Sequence, residues 1–310
     1  MYNFFRCCSI TASAVTLACA LTLPAFANLN VRSAILMDTG TGKILYAQNA
    51  DRKIAPASLT KIMTMYVAMD AVKLGKVKLK DKVKISTKAA KVGGSRMHIR
   101  AGEYVTLDKL LQGVAISSGN DASMAVAEHV AGSEHAFVKL MNAKAKKLGM
   151  KGTVFVNPHG LPAKGQVTTA RDMLALSRDY LKTHPRAMSY HRMKTLAHRG
   201  VTTYNKNPLL KDCPGADGLK SGWIRASGYN LVSTVKRGDT RLVGVVLGSS
   251  TAKVRAKEMR SLVEAGFTAL NSKGKKNVGQ VLAARTPKPA AQTKTASTSK
   301  KKAPGGSSAS

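Results

Sequence analysis

ASLTKIMT, residues 57–64, sets a serine and a lysine three positions apart at the head of an apolar run. Leu59, Ile62, Met63, Tyr66 and Val67 recur at helical spacing, so the stretch reads as an amphipathic helix opened just after Pro56. Ser58 and Lys61 are neighbours on the flank of that stripe, at the border of the core, where a side chain is partly dried. A helix start with a snorkelling lysine fits the same tetrad. The chemical reading asks for more. A serine hydroxyl is a poor nucleophile until a base removes its proton during attack, and lysine is a base only when neutral. Moving a free lysine from a pKa near 10.4 to about 7 costs roughly 4 kcal/mol, which desolvation and a nearby like charge can supply.

Outward from this helix the chain changes texture twice. On its N-terminal side, two short apolar runs flank a Thr-Gly-Thr-Gly turn, predicting a β-hairpin over 31–48. On its C-terminal side, 107–116, 121–131 and 135–148 carry a 3.6-residue period, and a further helix starts at Arg171. After Pro208 the pattern returns to strands, three apolar runs with tight turns, before a last amphipathic helix over 255–270. The Arg-Gly-Asp at 237–239 falls in one of those turns. Strands at both ends with helices between predict an α+β fold: a mostly antiparallel sheet formed from N- and C-terminal strands, flanked by helices, with an inserted helical region.

Fifty Lys and Arg against sixteen Asp and Glu leave a formal charge of +34, which implies attraction to polyanions. The N-terminus narrows the class of polyanion. A basic start at Arg6, an apolar stretch too short to span a bilayer, and an Ala-x-Ala pattern ending at Ala27 read as a secretory leader over 1–27. A lipoprotein cut before Cys19 is the weaker reading, because Thr16 stands where a leucine is usual. Cleavage after Ala27 leaves Cys213 as the only thiol, so neither an intramolecular disulfide nor a cysteine-based zinc site is available. An exported protein meets acidic envelope polymers rather than genomic DNA, so no nucleic-acid partner is expected. From 271 to 310 Pro, Ser, Thr, Ala and Lys dominate and acids vanish, which predicts a basic, low-complexity disordered tail behind a single unit over 28–270.

Two further strings bear on the opening tetrad. SSGNDAS puts Ser118, Gly119 and Asn120 in a break between helices, and LKSGW puts Lys220, Ser221 and Gly222 in a strand pattern. Each alone is an ordinary turn or strand end. In this order after Ser-x-x-Lys they resemble the three signature motifs of the penicillin-binding, serine β-lactamase-like superfamily. With NPHGL, TTARDM and DGLKSG, the chain from Val31 to about Leu270 is similar to the D-alanyl-D-alanine carboxypeptidase branch, the low-molecular-mass penicillin-binding proteins.

The resemblance implies a serine peptidase without metal or organic cofactor that removes the terminal D-alanine of peptidoglycan stem pentapeptides and is acylated by β-lactam antibiotics. It implies Ser58 as nucleophile, Lys61 as its base and Ser118 as proton relay to the leaving amine. Asn120 would hold the substrate amide, Lys220 would add positive potential, and Ser221 with Arg255 would bind the terminal carboxylate. The backbone N–H groups of Ser58 and Trp223, the latter just after Gly222, would form the oxyanion hole. His159 is expected near the cleft. Ser221 stands where the family usually has threonine, keeping the hydroxyl, and bulky Trp223 is expected to narrow the cleft. Many relatives continue into a β-rich domain and a membrane anchor, where this chain turns basic. A β-lactamase would need a glutamate-held water, yet no acid lies between Glu134 and Asp172. A D,D-endopeptidase of peptidoglycan cross-links shares every motif. A non-catalytic envelope-polymer binder would leave all three motifs as coincidence.

Overall fold

The computed structural model describes residues 28–272 and 274–285. The stretch read as a leader, 1–27 with Cys19, and the residues from 286 onward lie outside them. Strand β1 (Ser33–Asp38) and β2 (Ile44–Gln48) form the expected hairpin. A 3-10 turn at Ala57–Leu59 runs into helix α1 (Thr60–Lys73), so Ser58 sits in the turn and Lys61 in the first helical turn. The helical insert follows: β3 (Lys82–Lys84), α2 (Thr87–Lys91), β4 (Tyr104–Thr106), α3 (Leu107–Gln112), α4 (Asn120–Ala131), α5 (Glu134–Lys147), α6 (Ala170–Thr183) and α7 (Met188–Arg192). A small hairpin, β5 (Thr195–His198) and β6 (Val201–Tyr204), and helix α8 (Leu209–Asp212) lead to β7 (Ala216–Ile224), β8 (Gly228–Arg237) and β9 (Thr240–Ser249). Helices α9 (Ala252–Asn271) and α10 (Val278–Arg285) close the described chain.

The main sheet has the order β2-β1-β9-β8-β7, every pair antiparallel, with β7 at a free edge. It is therefore built from both ends of the chain, as the alternation of strands and helices predicts. Period-two patterning sorts its side chains into two cores. Ile35, Met37, Val243 and Val245 join the helical insert, while Ala34, Leu36, Leu242 and Val246 pack under α9 and α10. Helix boundaries fall where hydroxyl side chains cap free N–H groups: Thr106 for α3, Ser133 for α5, Thr169 for α6 and Thr251 for α9. The Arg-Gly-Asp string is the β8–β9 turn, and its Arg237 donates to Glu264 of α9 at 2.9 Å.

Two expectations need correction. Helix α1 is not a half-buried amphipathic helix: ten consecutive residues, Thr60–Met69, are buried, because it runs through the centre of the insert and packs against α4, α5 and α6. Lys61 is thus inside the protein rather than at its border. The basic tail also does not begin at 271. Asn277 and Gln280 cap each other reciprocally at 2.9 Å and start α10, whose Val278, Val281 and Leu282 are buried in the core under α9.

Candidate active site

Three segments distant in sequence meet at the start of α1. The first is the 3-10 turn carrying Ser58. A proline at 56 and a positive φ at Ala57 turn the chain sharply there, and the part-buried Ser58 hydroxyl lies 3.2 Å from the Lys61 amine. The second is the break before α4. Residues Gly113–Ser117 form a π-helical turn that ends in Ser118 with left-handed backbone, a conformation costly for a non-glycine residue and concentrated at functional sites. The third is β7 with Lys220, Ser221 and Gly222.

Lys61 is wholly buried, and its amine faces three oxygens. The amine donates to Asn120 Oδ1 at 2.7 Å and to the His159 carbonyl at 2.5 Å. Neither oxygen can donate in return. Asn120 is fixed in this orientation because its Nδ2 donates to the Gly93 carbonyl at 2.7 Å. The Ser58 oxygen at 3.2 Å is a third neighbour: an ammonium would donate to all three, whereas a neutral amine, its two hydrogens on Asn120 and His159, would turn its lone pair to the Ser58 hydroxyl. Electrostatics favour the neutral form. Burial first, then the charges of Lys220 and Lys206, push the Lys61 pKa well below the usual lysine range, against a small opposing pull from Asp121. The Asp121 carboxylate is itself occupied by the backbone N–H groups of Met97, His98, Ile99 and Ala122.

Lys220 is also buried and donates to the Ser221 carbonyl at 2.8 Å. Burial, with Lys206 and Arg255 nearby, lowers its pKa to about 7. Gly222 has a steric reason to be glycine: a Cβ there would sit 2.9 Å from the Ser58 nitrogen, so the strand backbone lies close against the turn that carries Ser58. Gly160 of NPHGL has φ +86°, and a Cβ there would lie 1.9 Å from the Ala57 carbonyl oxygen. The loop that feeds the His159 carbonyl to Lys61 can approach only without a side chain at that point. The His159 ring is buried, accepts from the Leu161 N–H at 3.3 Å and has its pKa lowered to about 3, first by burial and then by Lys61, so it is neutral.

Ser118 Oγ is buried without a hydrogen-bond partner among the described residues, an orphan hydroxyl that a substrate group can satisfy. Arg255 is buried in the first turn of α9 rather than solvated, its guanidinium 5.9 Å from the Tyr229 ring. Trp223 is 55% exposed, and its ring leans on Tyr229 with centroids 5.8 Å apart. Sequence reading missed Lys206. Its amine donates to Ser95 Oγ at 2.8 Å, and the Ser95 carbonyl accepts the Asn120 N–H at 2.7 Å, which places a third lysine beside the same loop. Its only sequence signal was position, a lone cation between two asparagines ahead of Pro208.

A family described as D-alanyl-D-alanine carboxypeptidase matches residues 21–251. The chain belongs to that family. It is similar to the D-alanyl-D-alanine carboxypeptidase DacF of Bacillus subtilis, 41% identical over 76% of this chain and 62% of the relative. It is likewise similar to DacC of Escherichia coli, 42% identical over 77% and 62%. The chain thus spans about three-fifths of the length of these curated relatives. Among solved structures, penicillin-binding protein D2 from Listeria monocytogenes in an ampicillin-bound form superposes with a TM-score of 0.71 at 31% identity, covering 78% of this chain and 98% of that one. The α+β fold read from the sequence is the fold of these carboxypeptidases.

Proposed function

We propose that the protein is a serine D-alanyl-D-alanine carboxypeptidase that trims peptidoglycan stem pentapeptides through an acyl-enzyme on Ser58, and that β-lactams acylate the same hydroxyl. The observation that carries this reading is the wholly buried Lys61 amine, held by Asn120 and His159 at 3.2 Å from the Ser58 hydroxyl and pushed toward its neutral form by burial and the neighbouring lysines. In this reading Lys61 takes the Ser58 proton as Oγ bonds to the penultimate D-alanyl carbonyl carbon. The N–H groups of Ser58 and Trp223 hold the oxyanion. Collapse breaks the C–N bond, Ser118 passes the proton to the departing amine, and free D-alanine leaves. Water then cleaves the ester with Lys61 again as base. Lys220, Ser221 and Arg255 receive the terminal carboxylate. The carboxypeptidase names of the relatives at 41% and 42% identity favour this over an endopeptidase.

Treatment with benzylpenicillin followed by peptide mass spectrometry is expected to find the adduct on Ser58, and incubation with a pentapeptide to release one D-alanine. An unlabelled Ser58 in folded protein overturns the proposal. Lys206 supplies a finer check. Its charge helps to keep Lys61 neutral, so Lys206→Met raises the Lys61 pKa. The acid limb of the acylation rate against pH should then move to higher pH; a shift to lower pH contradicts the assignment of Lys61 as base.

The leader and the basic residues beyond 285 fit an exported enzyme concentrated on anionic envelope polymers. No helix of the described residues is long and apolar enough to cross a membrane. Truncation after Arg285, which spares α10, is expected to reduce association with isolated cell walls at low salt; undiminished association removes that role for the tail.

A further inference from the structure

The far end of β7 opens onto a groove of about 690 Å³ that crosses one end of the sheet. Its walls include Arg32, Arg52, Arg225, Trp223 and Tyr229, and no Asp or Glu contributes to them. Arg32 donates Nη1 to the Ala226 carbonyl at 2.9 Å, which pins it at the β7–β8 turn. None of the three arginines forms an ion pair among the described residues. The acid next to Arg52 in sequence, Asp51, is taken by Arg171 in a two-pronged pair at 2.7 and 2.9 Å. Beside these unneutralised cations lies the half-exposed indole of Trp223, supported from beneath by Tyr229 with ring centroids 5.8 Å apart. The groove therefore offers an apolar platform and several free guanidinium donors, a combination suited to a ligand with an aliphatic body and a carboxylate.

The groove is continuous with the reaction centre through the backbone. A Cβ at Gly222 would sit 2.9 Å from the Ser58 nitrogen, Trp223 is the next residue, and β7 is an edge of the sheet. An extended peptide added along such an edge advances about 3.3 Å per residue, so two residues beyond the acylated D-alanyl group bring it level with Arg225. We infer that this groove is a subsite for a free carboxylate carried by the stem peptide two or three residues before the scissile bond. This rests on the peptidase reading above and adds to it a preference for stems whose side carboxylates are unmodified.

Trp223 is the only tryptophan in the chain, so its fluorescence reports the subsite directly. The experiment titrates full-length protein with a stem tetrapeptide, the reaction product, in two forms: free side carboxylates, or the same groups as carboxamides. The acid form is expected to bind at least about tenfold more tightly, as for a charged hydrogen bond. In the double variant Arg52→Gln/Arg225→Gln the two forms should bind alike, while benzylpenicillin acylates Ser58 at the wild-type rate and so certifies the fold. Equal affinity of the two forms for wild type, no fluorescence response to either, or discrimination retained in the double variant overturns the subsite. Release of D-alanine from a pentapeptide is scored separately. Its absence counts against the carboxypeptidase reading, while the binding titration still decides the groove.

Discussion

Lys61→Met and Lys61→Arg are both expected to lose acylation by benzylpenicillin by about two to four orders of magnitude, the usual contribution of a positioned general base. The pair of variants separates two roles that one substitution would confuse. Methionine fills much of the buried volume and removes the amine altogether. Arginine keeps a positive charge and donors for Asn120 Oδ1 and the His159 carbonyl, but it does not deprotonate at accessible pH. If Lys61 served only to place a cation beside the nucleophile, Arg would preserve much of the rate. The surroundings argue otherwise, because burial, Lys220 and Lys206 favour the neutral amine, whose lone pair can then face Ser58. Stopped-flow acylation with a labelled penicillin from pH 6 to 10 reads the outcome. A Lys61→Arg rate within tenfold of wild type would falsify the base assignment.

Much of the architecture was legible because period-two and period-3.6 patterns translate directly into burial. In β1, β8 and β9 the odd and even apolar residues separate into the two cores flanking the sheet. The three motifs were legible because each needs a particular backbone: a sharp turn before Ser58, left-handed Ser118, and a strand bare at Gly222, where a Cβ would crowd the Ser58 nitrogen. What stayed hidden depends on position in three dimensions. Ile62, Met63, Tyr66 and Val67 mark one stripe of α1, but Met65, Ala68 and Met69 cover the others, and a template for half-buried helices does not register burial on every side. Helix α10 was hidden by the basic, low-complexity chain behind it, although Asn277 and Gln280 carry a capping pattern. Lys206 and the arginine groove left no local signal, since their meaning comes from which cations the fold gathers without acids.

Lys220→Met is expected to make the protein more stable at pH 7 and below while impairing its chemistry. Burial, then Lys206 and Arg255, lowers the folded-state pKa of Lys220 to about 7. In the unfolded chain the same amine titrates near 10.4, so below pH 7 the folded protein holds a charge it disfavours by roughly 4 kcal/mol. Losing the hydrogen bond to the Ser221 carbonyl gives back about 1 kcal/mol, leaving a net gain on the order of 3 kcal/mol. The sign with pH follows from proton counting. Between pH 7 and about 10 the unfolded state binds the proton and the folded state does not, so wild-type stability climbs with pH over that window and the advantage of Lys220→Met shrinks. Urea unfolding of both proteins at pH 6, 7 and 9 tests this directly. Parallel stability curves would mean that Lys220 is solvated as an ordinary surface lysine. A converging pair, with slowed acylation in the variant, would mean that the cleft keeps its positive potential at the expense of the fold, as active sites commonly do. The same gathering of unpaired cations that weakens the folded state there gives Lys61 its neutral amine, so stabilising substitutions at Lys206 or Lys220 are expected to cost activity.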